Sequence, residues 1–230
     1  MSLLLRADEA KTQIDLLTRR ADADLQAIWG QVDKESADNV RDFMLRFFPE
    51  LVNEYFIAGT ALAADLYDDW REAANAAGAF AAVTLADPAV DLLEANVRWA
   101  LGSIYKADQD WDAALVNLSG SLNRHVADGH RNTIETSART DPARVLYARH
   151  ASANACGFCK MLATRSAVYT SESAALNSGT GRVRGKRGAK EKYHDHCHCT
   201  AVAVFPGDQY EEAPHVARWR QEYADGQLHF

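Results

Sequence analysis

Through the first 137 residues, apolar positions recur every three or four places, the spacing of a helix that buries one face. Between residues 4 and 32 they are Leu5, Ile14, Leu17, Leu25, Ile28 and Trp29, with many charges between them. This predicts a helix with one solvated side. From residue 36 to 77 the stripe is longer: Val40, Phe43, Met44, Phe47, Leu51, Tyr55, Ala58, Leu62 and Leu66. Unbroken, that helix would run roughly 60 Å at about 1.5 Å per residue, long enough to reach a partner. Pro49 interrupts it, and an internal proline removes one hydrogen bond and kinks or divides a helix. Asp87-Pro88 has the form of an N-cap and a first-turn proline, opening a helix over 88–105. Another helix is expected from about Asp108 to Ser137 through Trp111, Leu115, Leu118, Leu122, Val126 and Ile134. Gly120 and Gly129 weaken it enough to predict two pieces.

The period changes after Thr140-Asp141-Pro142. Residues 145–149 form a short apolar, β-compatible run, and residues 162–170 read similarly. Residues 171–192 are rich in glycine and serine and then basic, the composition of a flexible loop. Thr200 to Phe205 is the best strand candidate, ended by Pro206-Gly207. Residues 209–227 are polar and read as a helical tail. The expected fold is therefore mainly α: an elongated helical region over 1–138, a small α+β module over 139–207, and a helical tail over 208–230.

Composition narrows the classes. A chain of 230 residues with 47% apolar and 25% charged residues describes a folded, not a disordered, protein. The net charge of −7 argues against whole-chain affinity for nucleic acid. No run approaches 18 apolar residues, so no membrane span is expected. The first residues are too acidic for a secretion signal, which points to a reducing cytoplasm where thiols persist.

All four cysteines fall in two places, Cys156-Gly157-Phe158-Cys159 and His194-Asp195-His196-Cys197-His198-Cys199. Two chelating thiolate pairs brought together by folding make a closed tetrahedral zinc site. Cys156 and Cys159 are expected on one tight turn, with Gly157 free to take a positive φ. Cys197 and Cys199 straddle one residue at the start of a strand, so both point to one face. His194, three residues before Cys197, is the fifth candidate for four positions. The 37-residue spacer between Cys159 and Cys197 is long for a zinc ribbon, but each doubling of a loop costs only about 0.6 kcal/mol. A structural zinc contributes about 10–16 kcal/mol to a small module, against about 2–4 kcal/mol for a disulfide that the cytoplasm disfavours.

Three other readings stand beside zinc. The cysteines can be reduced or disulfide-bonded without metal. Cys-Gly-Phe-Cys has the form of a redox dithiol, which should open a helix after a strand in a βαβ unit. The histidines of the 194–198 cluster suit a metal-dependent nuclease or toxin, but no following Asn or His completes that set. No complete catalytic set is visible, and a non-enzymatic protein is expected. Arg182, Arg184, Lys186, Arg187 and Lys190 belong to a basic run that suits either phosphate contact or plain solvation. His125, His130, His150, His215 and His229 are scattered and read as surface or core residues.

The stretch from Asp141 to Phe205 carries a resemblance. Asp-Pro-x-Arg-x-x-x-Tyr-Ala-Arg leads into Ala-Cys-Gly-Phe-Cys-Lys-Met-Leu-Ala-Thr-Arg, then Tyr-His-Asp-His-Cys-His-Cys and a short apolar strand. This resembles the actinobacteriophage MuF-like minor capsid proteins, themselves similar to the phage Mu F family of minor head proteins. Cys156, Cys159, His194, Cys197 and Cys199 occupy that family's C-x-x-C and H-x-x-C-x-C positions. Where the family often has Pro and Arg in the second cluster, this chain has Asp195 and His198. The resemblance implies a structural virion component associated with the portal or the inner and major capsid proteins. Such proteins assist head assembly or DNA packaging and ejection, here with a structural zinc and a basic loop near packaged DNA.

Overall fold

The computed structural model describes residues 1–155, 157–164, 199–209 and 211–227. It is mainly helical. Helix α1 spans Leu3–Trp29, α2 Ala37–Ala73, α3 Val90–Ala100 with a 3-10 turn over Leu101–Tyr105, and α4 Trp111–Thr140. Strand β1 (Leu146–His150) pairs antiparallel with β2 (Thr200–Val204), in a register that sets Leu146 against Val204 and His150 against Thr200. Helix α5 covers Gly157–Ala163 and α6 covers Pro214–Ala224.

The long helices start where polar side chains satisfy their first free N–H groups. Ser2 accepts from Leu5 N, Ser36 from Asn39 N and Asp110 from Ala113 N. Pro49 does not divide α2. It is buried between Phe48 and Leu51, and packing on both sides carries the helix through the missing hydrogen bond. Likewise α4 is one helix, not two pieces. Gly129 lies where α4 crosses α2, and a Cβ there would meet the Phe56 carbonyl oxygen at 2.9 Å; at Gly59 it would meet the Val126 carbonyl oxygen at 3.1 Å. These glycines permit the close crossing, which explains why they sit inside helices.

Residues 84–89 lie outside any helix or strand, so the expected helix start at Asp87-Pro88 is shifted: α3 begins at Val90, behind an extended Ala89, without a side-chain cap. The strap from α2 to α3 is held by three anchors. Ala82 N–H donates to Asp68 at 3.0 Å, Val83 N–H donates to Ser137 Oγ at 2.9 Å, and Phe80 packs edge-on against Tyr67. Arg71 ties the strap's start to α4, donating to the Ala77 and Gly78 carbonyls and to Asp141.

Helix α4 is central, flanked by α1, α2, α3 and both strands. Its C-terminal half is buried nearly all round, polar residues included: His130, Arg131, Thr133, Glu135 and Ser137. Ala201, Ala203 and Phe205 share one apolar cluster with Tyr67 and Trp70 of α2 and Ile134 of α4. The C-terminal strands are thus built into the helical core. Arg6 fastens the first turns of α1 to the same place. Its fully buried guanidinium donates to the Ala203 carbonyl at 3.1 Å, pairs with Asp208 at 2.5 Å and lies 5.2 Å over the Phe205 ring. Asp208 also accepts from Phe205 N–H at 2.8 Å, and Gly207 turns the chain at φ 93°. The expected turn at Pro206-Gly207 is therefore present and anchored.

Candidate metal centre

β1 leads through a short turn to α5, and β2 starts one residue after Cys199. This order places Cys159, the third residue of α5, and Cys199 in one buried cluster with Ala151, Ala163, Ala213, Val216 and Trp219. Both cysteines are 1% exposed. The remaining predicted ligands, Cys156, His194 and Cys197, lie outside the described residues, as do Arg182, Arg184, Lys186, Arg187 and Lys190 of the basic run. Among the described residues, no group of three or more His, Cys, Asp or Glu side chains converges.

The local backbone differs from the expected knuckle. Gly157 is the first residue of a helix, not a positive-φ turn residue. The physical reason is apolar: Met161, Leu162 and Ala163 are buried, and a helical turn delivers them to the core together with Cys159. Residues 162–164 consequently close α5 and its C-terminal turn; they are not the strand that β-compatible composition suggests. The C-x-x-C segment does follow a strand and lead into a helix, as a redox dithiol does. Yet β1 and β2 are antiparallel neighbours, whereas the dithiol fold sets its helix in a parallel crossover.

Two cations lie near the cluster. Arg131 is fully buried and donates from Nε to the Cys199 carbonyl at 2.5 Å, which fixes the backbone where β2 starts. Lys160 Nζ lies 5.5 Å from the Trp219 ring centroid, beside the same cluster. Around the sulfurs themselves the described neighbours are apolar: Ala151, Ala163, Ala213, Val216 and Trp219. Trp219 closes the far side with 0% exposure. His215 holds α6 to the turn after β1 by hydrogen bonding the Ala151 carbonyl at 2.8 Å, and its ring packs 4.4 Å from Trp219. Burial, and then the charge of His215, holds the nearby His150 below the usual imidazole range.

Cys159 and Cys199 bring two soft donors from either side of the long spacer into one buried cluster, two short of the four a tetrahedral zinc shell needs. Nothing in the cysteine and histidine spacing points to Arg131 or Trp219. Trp219 was legible in principle, since Val216 and Trp219 stand three apart on one face of α6, after Ala213 at its N-cap. Arg131 left no such trace, because a buried arginine in a helix has the same one-letter pattern as a solvated one. The scattered histidines separate in three dimensions: His125 and His130 are core residues of α4, while His150 and His215 flank the candidate centre.

A family model described as VG15 protein matches residues 4–226. The chain belongs to the VG15 protein family. This is a viral protein family, and membership marks the chain as a phage protein. No curated protein and no solved structure matches it. No helix among the described residues is long and apolar enough to cross a membrane.

Proposed function

We propose that this protein is a minor head component of a tailed phage, carried in the virion in contact with the portal or with the major capsid protein. Its helices dock on that partner, and its C-terminal module serves as a staple without catalytic duty. One observation carries the reading: Cys159 and Cys199, separated by the long spacer, are both buried in a single cluster against α6. Such convergence is what the C-x-x-C and H-x-x-C-x-C pattern of the MuF-like proteins requires. Zinc, bound by Cys159 and Cys199 with two of Cys156, His194 and Cys197, would supply a structural cross-link. The chain's own contribution is to exclude water around the sulfurs with Trp219, Val216 and Ala213, and to fix the start of β2 through Arg131. The basic run from Arg182 to Lys190 is assigned to phosphate contacts with packaged DNA.

Disrupting the gene in its phage tests this reading. Loss of the protein should leave aberrant or empty heads, or particles that fail to deliver DNA, visible by electron microscopy and infectivity. Normal heads with normal infectivity would overturn it.

A further inference from the structure

Of the five tryptophans in the chain, Trp29, Trp70 and Trp219 are buried, and Trp111 is half-buried against Trp29. Trp99, on the outer side of α3, is 59% exposed. It does not stand alone. After Val90, the exposed residues of α3 are Asp91, Leu92, Ala95, Arg98 and Trp99. Leu92, Ala95 and Trp99 follow one another at spacings of three and four, so they form a single stripe along the helix. Leu92 is itself 52% exposed. The inner stripe of Leu93, Val97 and Ala100 is fully buried in the core. A helix that is apolar on its outer side as well as its inner one is built to be covered on both.

The spacing on this face is self-complementary. Leu92 and Trp99 stand seven residues apart around the small Ala95. Asp91 and Arg98 stand seven apart along one flank of the same stripe. Arg98 donates to Glu94 from Nη2 alone, at 2.8 Å, so the rest of its guanidinium fork can reach a second carboxylate. In a two-fold contact each residue meets its counterpart reciprocally. A second copy laid antiparallel, with the axis at Ala95, sets Leu92 of each copy against Trp99 of the other. The same operation brings Asp91 beside Arg98 twice, and the methyl of Ala95 lets the two helices approach. Parallel, in-register pairing instead sets Asp91 against Asp91 and Arg98 against Arg98.

We propose that the outer face of α3 is a self-association surface, and that its occupant is a second copy of this chain, antiparallel across a two-fold axis at Ala95. The inference goes beyond the head-protein reading and does not depend on it. Trp99 is the anchor, since an exposed tryptophan is the side chain that contributes most when an interface covers it. One helix of 11 residues per copy is small beside the roughly 1,200 Å² that marks the lower edge of stable complexes. The dimer is therefore expected to form and dissociate in the micromolar range.

Sedimentation equilibrium of the full chain across the micromolar range tests this. A monomer–dimer equilibrium is expected, with no larger species. Trp99→Lys should weaken association at least tenfold, with the circular dichroism spectrum unchanged. Asp91→Arg and Arg98→Asp should each weaken it at least threefold, because each sets like charges against one another. Mixed together, these two variants should associate again, since each supplies the charge that the other lacks. A chain that stays monomeric overturns the proposal, and so does a dimer that Trp99→Lys leaves intact. Charge variants that dimerise as the parent does, or fail to recover on mixing, overturn it as well. None of these outcomes touches the head-protein reading, which fails separately if the chain is missing from virions.

Discussion

The close crossing of α2 and α4 gives the sharpest stability prediction. In Gly129→Ala, the new methyl would sit 2.9 Å from the Phe56 carbonyl oxygen and 3.0 and 3.3 Å from two atoms of the Phe56 ring. Ordinary contact begins near 3.4 Å, so roughly half an ångström must be opened. The oxygen belongs to the backbone of α2, and the Phe56 ring is itself buried, so relief means moving one helix from the other. Overpacking of this kind costs about 1–3 kcal/mol, while replacing a helical glycine by alanine returns up to about 1 kcal/mol. The net expectation is a loss of about 1–2 kcal/mol. In a chain of this size each kcal/mol lowers Tm by roughly 2–4 °C. Gly59→Ala, at 3.1 Å from the Val126 carbonyl oxygen, should lose less. Gly102→Ala, with nothing within 4 Å, should be neutral or slightly stabilising. Urea denaturation followed by circular dichroism reads all three. Finding Gly129→Ala as stable as the parent, or indistinguishable from Gly102→Ala, would refute the claim that these glycines set the helix spacing.

Other consequences can be measured on the same preparations. Burial, then Arg124, holds His125 down to about 4, and burial, then Arg131, holds His130 down to about 3, against about 6.5 in the unfolded chain. Both folded values are depressed. The stability gained by keeping these rings neutral is therefore complete above about pH 6.5 and is lost as pH falls toward 4 and 3, by about 1.4 kcal/mol per pH unit for each ring at most. Urea midpoints should fall across this window less steeply in His125→Gln/His130→Gln; parallel profiles would contradict the assignment. Replacing Arg6 by Ala removes the cation facing Asp208, which keeps the Phe205 N–H and some exposure, and should cost about 3 kcal/mol, the low end of the penalty for breaking a buried pair. A change in Tm of under 2 °C would show that the clip between α1 and β2 is dispensable. Protein purified without chelator should hold close to one zinc per chain by elemental analysis, and Cys159→Ser or Cys199→Ser should lose it; less than about half an equivalent in the parent would remove zinc from the account.

The helices were legible because their apolar stripes are long and regular, and the start and turn of β2 were legible from a β-branched run closed by Pro206-Gly207. Three features were hidden for physical reasons. Gly129 looks like a helix weakener until α2 packs against it. Pro49 looks like a breaker until its neighbours are seen to be core. Gly157 looks like a turn residue until Met161, Leu162 and Ala163 require a helical turn to reach the interior. At the candidate centre, cysteine spacing announced a joint site, and folding brings Cys159 and Cys199 into one cluster. The supporting shell of Arg131, His215 and Trp219 comes from elements distant in sequence, and spacing carries no information about it.

A protein proposed to reside in the phage head should be found in finished particles. Gradient-purified virions, digested and quantified by mass spectrometry with isotope-labelled peptides of this chain, test it most directly. A resident minor head protein should be present at a few copies per particle, in a ratio to the portal protein that stays constant through successive gradients. Absence from the particles, or a ratio that falls with each purification step, would contradict it.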